Sequence, residues 1–275
     1  RDYYMESLPV LQESFYMALL EGRVAARQIG KYVKDYQVNL SAPYYVVTVL
    51  HISMQSLPEE EREDPFLLAM AVKKYAEEQV DERWNSRFVI YLGDIIMISQ
   101  LQEKDDLIAY TDEMDRLCRM ARKVCNARAT AGIGYLCDSL EQIPFSYQGA
   151  KQAVSYRVLY GNTRSISISE VEPGETAELQ RVDAYADLIQ RIIKKIRVGE
   201  ENVLQEAIHD FIQWLNEAHL SMQNYRIVMM ELISELVRFA AGHDLSIDNV
   251  SGTGTDAYHQ ALQMESTEAL ERWLL

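Results

Sequence analysis

Two apolar runs, Phe88 to Leu92 and Ile95 to Leu101, stand on either side of Gly93-Asp94. A two-residue loop with glycine between such runs is the turn chemistry of a tight antiparallel hairpin. A chain that carries a hairpin of this kind must build a sheet around it, and the neighbouring segments supply the strands. Tyr44 to Leu50 is a β-branched and aromatic run too continuous for an exposed strand, so it predicts a buried first strand. Ala127 to Tyr135 and Ser165 to Ser169 read as further strands. Helices are predicted between them: from Pro65 at a first turn to about Arg83, with Leu68, Val72, Tyr75 and Ala76; from Lys104 to Cys125; and from Ser146 to Tyr160. The acidic stretch Glu59 to Asp64 reads as a solvated loop. The order β-α-β-β-α-β with an added α-β indicates a mixed sheet with helices packed on it, an α+β fold.

Helical periodicity flanks this core. Residues 2 to 39 place Leu8, Leu11, Phe15, Ala18 and Leu19 on one face, then Ile29, Val33 and Tyr36, with Gly22 between two helices. After Pro173-Gly174 the strands stop. Val182, Tyr185, Ile189, Ile192 and Ile196 then recur at spacings of three and four, as do Leu204, Ile208, Phe211, Leu215 and Tyr225, Met229, Leu232, Leu236, Phe239. Gly242 ends the third helix, and Ser251 to Thr255 reads as a loop before a last helical stretch. The expected organisation is residues 1–40 as N-terminal signalling and dimerisation helices, 41–173 as the sheet domain, and 174–275 as an all-helical module.

The 42 acidic against 27 basic residues give a formal charge of -15, which repels phosphate backbones and anionic membrane surfaces. No apolar stretch approaches the roughly 20 residues that span a bilayer. Three cysteines, Cys118, Cys125 and Cys137, form no C-x-x-C pair, and seven positions on one helix separate the first two by roughly 10 Å, too far to bridge. A reducing, cytoplasmic setting is expected. The chain opens at Arg1 without an initiator Met and ends in an uncapped apolar-periodic pattern, which suggests an internal part of a longer protein.

The sequence carries almost no recognisable catalytic motif. No P-loop, H-E-x-x-H, G-x-S-x-G or EF-hand pattern occurs. Gly132-Ile133-Gly134 lacks the third glycine of a dinucleotide fingerprint and reads as a strand-end pair. His209 and His219, ten apart, have no ligand set around them. No catalytic, cofactor-binding or metal-binding residue is assigned.

The hairpin, the Thr130-Ala131-Gly132-Ile133-Gly134 strand end and the helix from Ser146 leading to Tyr160-Gly161-Asn162 together resemble a GGDEF domain, the fold of diguanylate cyclases. The resemblance implies that Leu92, Gly93, Asp94, Ile95 and Ile96 occupy the signature positions. It also implies that the site is degenerate. Leu92 stands where a glycine admits the nucleotide, Ile95 where an acid binds Mg²⁺, and His51-Ile52-Ser53 where the first strand carries Asp-x-Asp. One carboxylate, Asp94, cannot hold the metal, so no enzyme activity and no cofactor are expected.

The whole chain is similar to the central region of AraC-type two-component response regulators, which lies between a receiver and a DNA-binding pair of helix-turn-helix units. That similarity, carried also by Leu8-Pro9-Val10-Leu11 through Glu21-Gly22 and by Glu271-Arg272-Trp273-Leu274, implies a signal-transduction and transcription-regulation role. Partners would be the receiver and DNA-binding domains of the same polypeptide, with DNA met only through the latter and no membrane. A homodimer is expected, with Leu8, Leu11 and Phe15 as candidate contacts, because the N-terminal helix shows little complement within the chain; the Val182 to Ile196 seam is a second candidate surface. The alternative is a small-molecule or nucleotide sensor using the same degenerate fold.

Overall fold

The computed structural model describes residues 2–54, 64–172, 182–243 and 254–275. In chain order the elements begin with α1 (Asp2–Leu20), α2 (Ala26–Asp35), β1 (Tyr44–Ile52), α3 (Pro65–Gln79), β2 (Arg87–Tyr91) and β3 (Asp94–Leu101). Then follow α4 (Asp106–Val124), β4 (Ala129–Ile133), α5 (Ile143–Ser155), α6 (Arg157–Tyr160), β5 (Ser165–Ser167) and α7 (Ile168–Val171). The rest is helical: α8 (Val182–Val198), α9 (Glu201–Glu217), α10 (Met222–Gly242), α11 (Gly254–Leu262) and α12 (Thr267–Leu274). The chain divides into two compact units, residues 1–155 with 162–170, and residues 156–161 with 171–275. Pro173-Gly174, the acidic Glu59 to Glu63 and the Ser251 to Thr253 part of the expected loop lie outside the described residues.

The first unit is α+β. Its five-stranded mixed sheet has the order β2-β3-β1-β4-β5, with β1 antiparallel to both neighbours and β4 parallel to β5. β1 is therefore central, which is why its sequence is apolar without alternation. Val46, Leu50 and Ile52 face one cluster with α3 and α4, including Leu68, Val72, Tyr110 and Met114. Tyr45, Val47 and Val49 face the other, with Phe15 and Leu19 of α1, Ile29 of α2 and Tyr147 and Ala150 of α5. The helices of residues 1–40, expected ahead of the sheet, thus belong to the same compact unit as the sheet.

Local chemistry sets the ends of these elements. α1 stops at a Schellman-type turn, where Gly22 at φ +68° lets the Arg23 amide reach Ala18 O at 2.9 Å. Asp64 caps α3 by accepting from the Phe66 amide at 2.8 Å, ahead of Pro65 in the first turn. The helix expected to run from Ser146 to Tyr160 ends at Ser155, where the chain passes from one unit to the other.

One run of polar groups lies inside the α3/α4 face. Tyr110 OH shares hydrogen bonds with Thr48 Oγ1 at 2.7 Å and Ser99 Oγ at 2.9 Å, and Ser99 Oγ pairs with Ser86 Oγ at 2.7 Å. Burial pushes the Tyr110 phenol up to about 12, so it stays protonated and the chain of hydroxyls stays neutral.

In the second unit Tyr185, Ile189 and Ile192 of α8 are buried, as are Phe211 and Leu215 of α9 and Tyr225, Met229 and Leu232 of α10. Tyr185 donates to Glu231 of α10 at 2.9 Å and its ring lies 6.0 Å from that of Trp214 on α9. Tyr185, Ile189 and Ile192 of the α8 seam are thus packed within this helical unit.

The tightest contact in the sheet unit is between α5 and β4. A Cβ on Gly132 would lie 2.2 Å from Ala150 O, and one on Gly134 would lie 1.9 Å from Ser146 O. These glycines have a packing role, since only a hydrogen fits beneath the helix backbone. Gly134→Ala is expected to destabilise the fold by about 2 to 4 kcal/mol through forced separation of helix and strand. Gly30→Ala, at an exposed α2 position with nothing within 4 Å of the new Cβ, should instead stabilise by about 0.5 to 1 kcal/mol. Urea unfolding of both variants tests the pair, and equal effects would refute the packing argument.

Candidate functional site

The β2-β3 hairpin positions the candidate site. Tyr91 pairs with Asp94, so the two-residue turn is Leu92-Gly93, one place earlier than the Gly93-Asp94 loop that the sequence suggested. Both turn residues have positive φ, +52° for Leu92 and +85° for Gly93, as a type I′ turn requires. Leucine is a poor residue for that backbone, because its Cβ crowds the carbonyl in the left-handed region. Its side chain is 83% exposed, so no packing compensates for the strain.

The next residues alternate across the sheet. Asp94 lies on the α1/α5 side, whereas Ile95 is fully buried on the α3/α4 side among Leu50, Leu68 and Met97, and Ile96 is fully buried on the other. Antiparallel register sets Leu50 opposite Ile95, which brings His51 beside Asp94. His51 Nδ1 and Asp94 Oδ1 are 2.8 Å apart, with side chains 26% and 29% exposed. Ile52 joins the core, and Ser53 is buried with no hydrogen-bond partner for its Oγ. A divalent cation takes six or more oxygen ligands, including several carboxylates. Here Asp94 is engaged by the His51 imidazole, and the neighbouring position on the strand holds a core isoleucine. Among the described residues no group of three or more His, Cys, Asp or Glu side chains could hold a metal ion.

A polar cluster that the sequence did not point to surrounds Asp94. The phenol of Tyr91 donates to Glu21, which also pairs with Arg23, and these bonds hold the Glu21 carboxyl below its ordinary range while raising the Tyr91 phenol. Tyr147 on α5 is pushed up to about 12, first by burial and then by Asp94, Tyr91 and Glu21 nearby. Lys151 Nζ sits 4.6 Å from the Tyr147 ring centroid. The end of α1, the hairpin and α5 meet only in three dimensions, so no local spacing could have assembled this set.

Of the candidate dimer residues, Phe15 is 3% exposed, Leu8 is buried and Leu11 is half-buried. Phe15 lies 6.1 Å from the rings of Tyr32 and Tyr36, and Gln12 Nε2 donates to Tyr36 O at 2.9 Å. The expectation that this face has little complement within the chain is therefore corrected. α2 and the residue after it cover it, burying apolar area worth about 1.5 to 3 kcal/mol for a phenylalanine. The cysteines are unpaired, and burial pushes Cys118 up to about 12 and Cys137 to about 11. No helix among the described residues is long and apolar enough to cross a membrane.

Residues 21–156 match the family of GGDEF-like domains, from the turn after α1 to the end of α5. The sheet unit thus contains a GGDEF-like domain, in keeping with its mixed sheet and hairpin. No curated protein matches the chain.

The strained turn makes a specific claim. Leu92→Gly removes a left-handed leucine costing about 1 to 2 kcal/mol and loses almost no contact, so the variant is expected to be about 1 kcal/mol more stable. A urea midpoint that falls instead would show that Leu92 holds the hairpin in place.

Proposed function

We propose that the chain is the non-enzymatic regulatory core of an AraC-type two-component response regulator, coupling a receiver to a DNA-binding domain in one cytoplasmic polypeptide. The observation that carries the non-catalytic reading is Ile95, fully buried where a cyclase needs an exposed acid. Asp94, bound to His51 at 2.8 Å, adds to it. With a charge of -15 the chain itself offers no surface for counterion release from DNA, so DNA would be met through the DNA-binding domain. A GGDEF-like domain without its metal ligands retains what a coupling element needs, a rigid sheet with helices entering and leaving it.

Regulators that read paired DNA half-sites work as dimers, and a homodimer is part of this proposal. With Phe15 and Leu8 taken by the chain's own fold, contact would fall on the outer side of α1, where Val10 is 65% exposed and Leu11 half-buried. The second reading, a small-molecule sensor, draws support from an open cavity beside β2.

Incubation of the chain with GTP and Mg²⁺ or Mn²⁺ is expected to give no cyclic dinucleotide above a protein-free control, and turnover would end the non-enzymatic reading. Sedimentation is expected to show a dimer that weakens at least about tenfold when Val10 and Leu11 are both changed to Gln, with circular dichroism unaltered. A wild-type chain that stays monomeric at high micromolar concentration would remove self-association from this region.

A further inference from the structure

Beside β2, at the edge of the sheet, α1 and α3 flank an open cavity of about 420 Å³. Gln12 and Tyr16 of α1, Glu77 of α3, and Asn39, Ser86 and Arg87 contribute to its wall. Arg87 is half-buried, and its Nε is shut off from solvent without a hydrogen-bond partner. Among the described residues its guanidinium makes no ion pair, although the chain carries 42 acidic side chains. Glu77 is the acid in the cavity wall, and its carboxylate is held by Lys73 Nζ at 2.6 Å. An arginine so placed is a planar fork of donors whose Nε has no partner among the described residues.

The rest of the wall is neutral, and apart from Phe88 it is hydrogen-bonding. Ser86 is the outer end of the hydroxyl chain through Ser99 and Tyr110 to Thr48. Every member can donate or accept, so the chain can orient to present a donor at Ser86. Burial raises the Tyr16 phenol while the positive charge of Arg87 draws it back, so the phenol is a protonated donor close to that guanidinium. With one guanidinium, adjacent hydroxyl donors and a carboxylate on the same wall, the balance suits a single negative charge. A phosphate dianion would meet Glu77 and the acidic chain with twice the repulsion.

We propose that this cavity binds a small organic monocarboxylate, with the terminal nitrogens of Arg87 taking the carboxylate oxygens and the Ser86 hydroxyl donating to one of them. The site lies apart from the His51-Asp94 pair and does not depend on the regulatory reading, since binding is measured on the chain itself.

The test is a thermal-shift and calorimetry panel on the full 275-residue chain, with 2-oxo acids, 2-hydroxy acids and aliphatic and aromatic monocarboxylates at about 10 mM beside inorganic phosphate. At least one monocarboxylate should raise the melting temperature by a few degrees while phosphate does not. R87Q should weaken that binding at least about tenfold, as expected when a charge-assisted pair is lost. E77Q, which removes the like charge from an exposed residue, should strengthen it several-fold, an effect that misfolding cannot produce. A flat panel, equal stabilisation by phosphate, or a response unchanged by R87Q and E77Q overturns the proposal. Cyclase or dimerisation results bear on neither outcome.

Discussion

The contact between the α5 backbone and β4 is the constraint from which the sheet unit takes its shape. With hydrogens at Gly132 and Gly134 the helix settles directly on the strand, close enough for Ser146 Oγ to accept the β1 amide of Val47 at 2.9 Å. One helix is thus locked to two adjacent strands. Because β1 pairs with β3 in a fixed register, the same contact determines where the hairpin stands and which residues reach His51. Core packing at native density transmits such a placement with little slack.

Much of this was legible in the sequence, because the strongest signals are periodic and local. The apolar run from Tyr44 read as a buried strand and is the centre of the sheet. The helical phases around Tyr110, Met114, Leu117 and Ala121 and around Ile189, Phe211 and Met229 all turn inward. The turn was misplaced by one residue for a physical reason: propensity puts glycine and aspartate at such corners, and here a leucine takes the left-handed position. The α1 face looked unpartnered because its complement, Tyr32 and Tyr36, comes from the next helix, whose aromatic face only folding brings opposite Phe15.

The residues of the candidate site were legible in the sequence, and their arrangement was not. That Ile95 follows Asp94 at the start of the second hairpin strand could be read directly. The pairing of Asp94 with His51, and the grouping of Glu21, Tyr91, Tyr147 and Lys151, depend on register and on α5, which no spacing encodes. Arg87 is the clearest case. In the sequence it is a lone cation at a strand start, and only the fold reveals that α1 and α3 leave it facing a polar hollow without a counterion among the described residues.

The position of Ile95 limits which side chains the start of β3 can accept. Its side chain fills the α3/α4 core beneath β3, in contact with the packing that holds the hairpin down. An acid at that position would be a buried, unpaired charge, costing several kcal/mol against a typical stability of about 5 to 15. Such a variant would lose stability while His51 still held Asp94. The core beneath β3 thus acts as a filter on what the hairpin can carry.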